Sequence, residues 1–429
     1  MADKSVIKVQ SKHSPVGEMG QKYLAAGVHL AMRLWEGERP GEAKPRAVRE
    51  YETVGFVIAG RACPCGRRRY PKGAAGKTTV TSAGSVRLAR QSFRCPGCGD
   101  PAYPLDGRLG LDGFLSPQAT RLACLAAASW SFDVAADRLA ELAGVTMDDE
   151  TLRRHTLAAA RELGRRRAAA EPAAGRFAAA AGEVELLTDG VFAPTRGGWR
   201  EVKLALFQKR PRGAAAGPEE WATRALPAPT ASVAYAALAD SEAFAACWRP
   251  WAERLGITDP KALTVLGDGA EWIWAAAGRQ FPGARGVLDP FHALEHVAAA
   301  AAALYGEAAA AAAGWVERVR RSLLGGGWPG LCDAVGATLA AGVTEAGQAA
   351  MDDLVGYFAK HTERLGYYER LRTGRSIGSG AVEGLARRMG DRLKTPGRGW
   401  LAEHVDPMAT LVNLVQTPEW PDLWKTSPN

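Results

Sequence analysis

Two aspartates occur in the same local setting, at the end of a short apolar run and directly before a glycine. Asp189 follows Glu185-Leu186-Leu187-Thr188, and Asp268 follows Thr264-Val265-Leu266-Gly267. We expect each run to be a buried strand whose end delivers the carboxylate to a crevice at the edge of a sheet. The glycine after each aspartate predicts a sharp turn with room for a ligand. Either aspartate alone is more simply explained as a turn residue or a helix cap, but the matched pair favours a site.

A third acid, Glu383, lies in the glycine-rich segment Gly378-Ser379-Gly380-Ala381-Val382-Glu383-Gly384. This segment predicts a turn that leads into a helix, with Glu383 in the first helical turn. The alternative is an acid that only complements the positive end of the helix dipole. Four cations that follow on the same helix are assigned to phosphate binding: Arg387, Arg388, Arg392 and Lys394.

Three carboxylates are suitable ligands for magnesium, or for manganese in its place, because these cations take oxygen ligands and keep several waters. Two such ions can stabilise both the attacking and the leaving oxygen of an in-line displacement at phosphorus. Asp189, Asp268 and Glu383 therefore predict a two-metal site for phosphoryl transfer. Such chemistry needs no cysteine or serine nucleophile.

The elements around these acids are predicted from hydrophobic periodicity. Strands are expected at 184–187, 199–208, 230–238, 263–266 and 286–288, with helices at 241–255 and 271–280. Three strands, a helix, a strand, a helix and a strand are the element order of an RNase-H-like core, a mixed sheet with helices on its faces. The long helical stretch between Asp289 and Glu383 is expected to be an insertion in that core, or else a separate domain.

Four of the seven cysteines form two close pairs, Cys63-Pro64-Cys65-Gly66 and Cys95-Pro96-Gly97-Cys98-Gly99. Four thiolates predict a closed structural zinc site of the zinc-ribbon type. The first pair has a one-residue gap instead of two, so buried thiols, or a site that has lost its metal, stay as alternatives.

The segment between the cysteine pairs is strongly basic. Residues 61–100 contain nine Lys or Arg and one Asp, and the whole chain of 429 residues has a net charge of +8. Concentrated positive charge suits nucleic acid, although a solvated basic surface is the alternative. The cations expected to face phosphates are Arg67, Arg68, Arg69, Lys72, Lys77, Arg87, Arg90 and Arg94.

Three short helices follow, and they resemble a helix-turn-helix DNA-binding domain. The first begins at Ser116-Pro117, the second runs from Phe132 to Gly144, and the third carries Arg153 and Arg154 and ends near Gly164. The alternative is a small helical bundle without a DNA-binding role.

Four sequence blocks together resemble a DDE transposase, most closely the ISKra-type, Mutator-like group of bacterial insertion sequences. The blocks are Leu187-Thr188-Asp189-Gly190, Gly267 to Trp274, Leu288 to His296, and Gly378 to Glu383. The resemblance implies that Asp189, Asp268 and Glu383 are the catalytic triad. It also implies double-stranded DNA as partner, namely the element's terminal inverted repeats and target DNA, and a dimer or larger oligomer on that DNA.

The resemblance further implies that Asp289 and His292 form an accessory motif near the active site. The alternative is an aspartate that caps a helix, with a packed histidine three residues on. Two other functions stay open: a transposase-derived DNA-binding protein without catalysis, and an RNase-H-like nuclease that cuts without joining.

The sequence thus predicts a multi-domain α/β protein. The expected parts are an N-terminal helical segment (1–50, with a helix at 23–35), a zinc-ribbon-like segment (51–112, opening with a strand at 54–58), a helix-turn-helix domain (113–166), a linker or frayed helix (167–182), the first part of the RNase-H-like core (183–296), a helical insertion (297–375) and the core's C-terminal helix with a tail (376–429). The alanine-rich stretch 297–314 is interrupted by Glu307, so we expect no membrane span and a cytoplasmic, DNA-associated bacterial protein.

Overall fold

The computed structural model describes residues 7–11, 49–55, 62–82, 84–111, 113–169, 172–307, 309–394 and 399–424. The chain divides into two compact units, with the division between Ala160 and Arg161. The helix predicted at 23–35 lies outside the described residues. Of the strand predicted at 54–58, the described part forms the end of a strand that begins at Arg49.

The first unit contains a five-stranded sheet followed by helices. The strands are β1 (Ile7–Ser11), β2 (Arg49–Gly55), β3 (Tyr70–Thr81), β4 (Gly84–Arg94) and β5 (Pro101–Ala102), in the order β1-β2-β4-β3 with β5 paired to β4. Strands β3 and β4 form an antiparallel hairpin in which Tyr70 pairs with Arg94. The residues just before β3 and just after β4 therefore meet at the open end of the hairpin.

The helices of this unit begin and end largely where local sequence signals predict. They are α1 (Pro104–Leu109), α2 (Pro117–Ser129), α3 (Phe132–Ala143) and the start of α4 (Asp149–Ala169). Ser116 caps α2 by accepting a hydrogen bond from the Ala119 N–H at 3.2 Å, and Gly144 ends α3 with a φ of 62°. The predicted end of the third helix near Gly164 is wrong, because α4 continues to Ala169.

The second unit is built on a mixed sheet against which helices pack. Its elements before the last strand are α5 (Pro172–Ala179), β6 (Glu183–Thr195), β7 (Gly198–Arg210), β8 (Ala231–Ala237), α6 (Ser241–Ala246), α7 (Trp248–Arg254), β9 (Leu263–Gly267) and α8 (Glu271–Gln280). With β10 (Arg285–Leu288) the sheet order is β10-β9-β6-β7-β8. Strands β6, β7 and β8 are antiparallel neighbours, whereas β9 runs parallel to β6 and β10 parallel to β9.

The five predicted strands of this sheet are confirmed, and β6 and β7 extend beyond the predicted bounds. The helix predicted at 241–255 is two helices, which meet at Cys247. The segment 167–182, interpreted as a linker or a frayed helix, contains the end of α4 and all of α5.

The region predicted as an insertion is helical. It begins within α9 (Pro290–Tyr305) and contains α10 (Ala310–Ala340), α11 (Glu345–Ala359) and α12 (Tyr367–Arg372). Helix α10 is kinked at Gly327, whose φ of 58° is non-helical. The chain then returns to the sheet as α13 (Gly380–Leu393), α14 (Ala402–Val415) and α15 (Trp420–Leu423).

Candidate metal-dependent active site

Asp189 and Asp268 lie at the same level of two neighbouring strands. In the parallel pair β6 and β9, Leu187 is the partner of Leu266, and each aspartate lies two residues further along the chain, Asp189 within β6 and Asp268 one residue beyond the end of β9. Strand β9 ends at Gly267, so Asp268 leaves the sheet there and accepts a hydrogen bond from the Ala270 N–H at 2.9 Å. The shared register explains how two acids 79 positions apart come together.

The prediction that Asp189 ends a strand is wrong. Strand β6 continues to Thr195 because β7 pairs with it along its whole length, from Glu183 to Thr195. What ends near Asp189 is the pairing with β9, whose last pair is Leu187 with Leu266. At Asp189, therefore, β6 is no longer paired with β9 along one edge, while its other edge is still hydrogen-bonded to β7.

Glu383 approaches from α13, which packs against β6. A Cβ placed on Gly390 of α13 would lie 3.3 Å from the Val191 side chain, so a small residue at this position allows the close packing. Glu383 lies in the first turn of α13, as predicted. It lines a cavity of about 650 Å³ together with Asp189, and Arg387 and Lys394 line the same cavity.

The three acids act on one another electrostatically. Burial raises the pKa of the Asp189 carboxyl above its ordinary value, and the negative charges of Glu383 and Asp268 raise it further. A hydrogen bond of 2.7 Å from the Gly190 N–H partly opposes this shift. Like charges held together in a partly buried pocket favour the binding of a cation between them.

The donor set fits a hard divalent cation, although the acids are not closed around a single ion. Among the described residues, only the four paired cysteines place three or more ligand atoms within 4.8 Å of one another. Asp189, Asp268 and Glu383 are therefore candidate ligands, and the spacing of their oxygens does not identify a metal.

Asp289 and His292 lie beside this site in different roles. Asp289 is fully buried and caps α9, because its Oδ1 accepts hydrogen bonds from the N–H of Phe291 at 2.7 Å and of His292 at 3.4 Å. Its Oδ2 accepts from the backbone N–H of Ser379. The His292 Nε2 atom lies 3.9 Å from Glu383 Oε1. The helix-cap alternative thus holds for Asp289, and the histidine still reaches the third acid.

The glycines after the two aspartates both allow close packing, and of the two predicted sharp turns only the one at Gly269 is present, as a bend after β9. Gly190 is an ordinary strand residue, and a Cβ there would overlap the Glu201 carboxylate. A Cβ on Gly269 would overlap the hydroxyl and ring of Tyr357. The space beside Gly190 is therefore filled by Glu201 of the paired strand β7, and the space beside Gly269 by Tyr357 of α11.

Tyr357 is a residue of the site that sequence reasoning missed. It comes from α11 in the helical insertion, and its ring stacks on His296 with centroids 3.7 Å apart. Burial raises the pKa of the Tyr357 hydroxyl to about 12, and the charges of Asp268 and Asp289 add to the effect. The local sequence around Tyr357 carries no signal for this placement, because the contact is made only when α11 packs.

The cations of α13 do not share one environment. Arg387, Arg388 and Lys394 are exposed, and the first and last of these line the cavity. Arg392 is only 4% exposed and its guanidinium lies over the Trp400 ring, 5.0 Å from the ring centroid. The structure therefore does not support the predicted phosphate contact for Arg392, which packs inside the protein.

The four paired cysteines of the first unit meet at the open end of the β3–β4 hairpin. The Sγ atoms of Cys63 and Cys98 are 3.5 Å apart, and those of Cys65 and Cys95 are 3.4 Å apart. Sulfurs bound tetrahedrally to zinc at about 2.3 Å lie about 3.8 Å from one another, so the cluster fits a metal ion of this kind. Hydrogen bonds from the backbone N–H of Cys98 and then of Gly97 lower the pKa of the Cys95 thiol to about 6, despite burial.

The glycines beside these pairs make the predicted tight turns. Gly66 and Gly99 have φ values of 84° and 72°, which side-chain-bearing residues rarely adopt. The one-residue gap between Cys63 and Cys65 does not prevent the cluster from closing. These four cysteines are a candidate metal site.

Several basic side chains of the first unit form ion pairs within the fold and are largely buried. Arg69 pairs with Asp100, and Lys77 lies 3.2 Å from Asp106. Arg90 is buried, lies 2.8 Å from the same Asp106 and stacks over the Tyr103 ring. The predicted phosphate contacts of Arg69, Lys77 and Arg90 are therefore not supported. Exposed side chains remain at Arg67, Arg68, Lys72, Arg87, Arg94 and, on α4, Arg154, whereas Arg153 pairs with Glu150.

None of the helices that the structure describes has the length and apolar character needed to cross a membrane. A comparison with protein-family models and a comparison with curated proteins find no match to the chain.

Proposed function

We propose that this protein is a DDE-type transposase, an enzyme that cleaves DNA at the ends of an insertion sequence and joins those ends to a target. The observation that carries the proposal is that Glu383 and Asp268, from separate elements, both lie close enough to Asp189 to raise the pKa of its carboxyl. Glu383 lines a cavity with Asp189, and Asp268 lies just beyond the end of β9, the strand next to β6. The sheet, with three antiparallel strands and two strands added parallel to the first, is the arrangement expected of an RNase-H-like core.

The cavity also carries cations that can contact a phosphodiester substrate. Asp189 and Glu383 line it, Arg387 and Lys394 lie further along α13, and the exposed Asp391 carboxylate lies between these two cations in the sequence. In this proposal the acids hold two divalent cations, which supply the positive charge that stabilises the attacking and leaving oxygens. Arg387 and Lys394 contact the phosphates that flank the reacting one, and so position the strand.

The reaction proceeds in two displacements at phosphorus. In the first, a water oxygen bonds to phosphorus, the bond to the 3′ oxygen breaks, and the water's proton passes to solvent while the leaving oxygen gains one. In the second, the freed 3′ hydroxyl attacks a target phosphodiester, so one bond forms as another breaks and no external energy source is needed. His292, 3.9 Å from Glu383, is close enough to help orient that acid.

The other parts of the chain have roles in DNA recognition in this proposal. Cys63, Cys65, Cys95 and Cys98 hold a structural zinc ion that fixes the basic hairpin. Helices α2, α3 and α4 form a helix-turn-helix domain, in which Arg154 is an exposed candidate for phosphate contact. Two DNA ends are handled together, so the working form is a dimer or a larger assembly.

The test is an assay with labelled duplexes that carry the DNA on either side of the protein's own coding region, a supercoiled target plasmid and Mg²⁺ or Mn²⁺. Joined products support a transposase, cleavage without joining indicates a nuclease, and binding without cleavage indicates a non-catalytic DNA-binding protein. Asp189→Asn, Asp268→Asn and Glu383→Gln should each abolish cleavage and retain DNA binding in a mobility-shift assay.

Glu271→Gln is the matched control for these variants. Glu271 is an exposed acid three residues after Asp268, and it pairs with Lys360 at 2.8 Å. Its substitution should leave cleavage within about twofold of the unmodified protein. If a variant of one of the three acids keeps full cleavage activity, that acid is not a metal ligand.

A further inference from the structure

Ser379 is the N-cap residue of α13, but its hydroxyl does not cap the helix. An N-cap serine usually accepts a hydrogen bond from a backbone N–H in the first turn. Here the side chain makes no such bond. The Ser379 Oγ atom instead lies 2.7 Å from Asp289 Oδ2 and 2.7 Å from Glu383 Oε1. The helix thus lacks the usual stabilising cap, and the hydroxyl contacts two carboxylates instead. Loss of a stabilising local interaction in this way is typical of functional sites.

The two carboxylates differ in what else holds them. Asp289 is fully buried and accepts backbone N–H groups from Phe291, His292 and Ser379 itself. The Glu383 side chain is 41% exposed, and within the described part of the chain the Ser379 hydroxyl is its one hydrogen-bond donor. The hydroxyl carries a single hydrogen and donates to one carboxylate at a time. Asp289 is satisfied without it, whereas Glu383 depends on it.

We infer that Ser379 is a positioning residue that connects the buried carboxylate of Asp289 to Glu383 and holds Glu383 ready to bind a divalent cation. This inference rests on the proposed function. Asp289 is fixed at the start of α9, Ser379 is only 3% exposed at the start of α13, and the contacts between them join the two helix ends. A glutamate held in this way needs less reordering when it binds metal.

The experiment measures Mn²⁺ binding to the full-length protein by electron paramagnetic resonance of the free ion, together with the Mn²⁺ concentration that gives half-maximal DNA cleavage. Ser379→Ala should weaken Mn²⁺ affinity about 10- to 100-fold, the range typical for loss of a residue that orients a metal ligand. Cleavage should recover in part at high Mn²⁺ concentration. The thermal unfolding temperature without metal should change little, because the hydroxyl caps no helix.

Ser376→Ala is the matched control. Ser376 is a buried serine in the same turn, and its hydroxyl donates only to the Gly378 carbonyl at 3.3 Å. This variant should retain Mn²⁺ affinity. Asp289→Asn should weaken binding as well, and the double variant Ser379→Ala/Asp289→Asn should be less impaired than the product of the two single effects, because both act through one connection.

Two results would overturn the inference: unchanged Mn²⁺ affinity in Ser379→Ala, or fully multiplicative effects in the double variant. The failure of the proposed function looks different, since the unmodified protein would then show no Mn²⁺ site that depends on Asp189. Mn²⁺ binding to the unmodified protein and to Asp189→Asn therefore suffices to distinguish failure of the inference from failure of the proposed function.

Discussion

The Tyr357 hydroxyl lies directly against Gly269, the residue that follows Asp268. The Tyr357 ring is held there by stacking on His296 of α9. A helix of the predicted insertion therefore forms one wall of the candidate site. The contact leaves no room for a side chain at position 269, so the packing of α11 and the position of Asp268 depend on each other.

Gly269→Ala should impair the candidate site, because the new methyl group can be accommodated only if Tyr357 and α11 move. We expect a loss of about 1–3 kcal/mol in the free energy of unfolding, the usual effect of overpacking, and at least a tenfold decrease in cleavage. Gly278→Ala is the control, since a Cβ on this helical glycine meets nothing within 4 Å. That variant should be stabilised by about 0.5–1 kcal/mol. Equal effects at the two positions, measured by urea denaturation, would contradict the packing described here.

Asp189→Asn should stabilise the metal-free protein while abolishing its response to metal. The folded pKa of Asp189 is raised above the ordinary value of about 4. The favourable contribution of the protonated carboxyl is therefore present at low pH and is lost as the pH rises through the raised pKa. The asparagine variant carries no such charge, so its advantage should grow from about pH 4 upwards and reach a few degrees in thermal unfolding temperature at neutral pH.

Saturating Mn²⁺ should reverse this order, because only the protein with the carboxylate gains from binding the ion. Differential scanning calorimetry at several pH values, with and without Mn²⁺, measures both effects. A metal-free Asp189→Asn variant that unfolds at a lower temperature than the unmodified protein at neutral pH would contradict the electrostatic description of the site.

Replacement by alanine should change DNA binding at Arg387 and stability at Arg392, although the two residues lie only five positions apart on one helix. Arg387 is exposed in the cavity, so its loss should weaken DNA binding and reduce the slope of log affinity against log salt by about 0.9. Arg392 packs over Trp400, so its loss should lower the unfolding temperature and leave the salt slope unchanged. Fluorescence anisotropy at several salt concentrations separates the two. Identical salt slopes in the two variants would mean that Arg387 makes no phosphate contact.

The cysteine cluster should bind one zinc ion per chain. Cys65→Ser and Cys98→Ser should each lose this ion and lower the unfolding temperature, since a closed four-thiolate site contributes directly to folding. Cys332→Ser is the control, because this partly exposed cysteine lies on α10, outside the cluster. Elemental analysis of the purified variants gives the zinc content. Retention of zinc in Cys65→Ser would exclude a four-thiolate site.

The sequence by itself determined the features that depend on neighbouring residues. Alternating and continuous apolar runs marked the strands of the second sheet, Ser116 and Gly144 marked helix ends, and the close spacing of the cysteines marked their cluster. The strand and helix-end signals lie within a few positions of the structure that they specify, because periodicity and capping act along the local backbone. The two cysteine pairs, by contrast, are 30 residues apart and meet because β3 and β4 form a hairpin.

Only the tertiary structure decided which side chains complete the candidate site. Asp189 lies inside a strand instead of at its end because β7 supports β6 past the point where β9 stops. Tyr357 enters the site, and Ser379 meets Asp289, through packing between distant elements, and the local sequence around Arg392 does not show that Trp400 buries it. These placements depend on contacts between residues far apart in the chain, which periodicity and spacing do not encode.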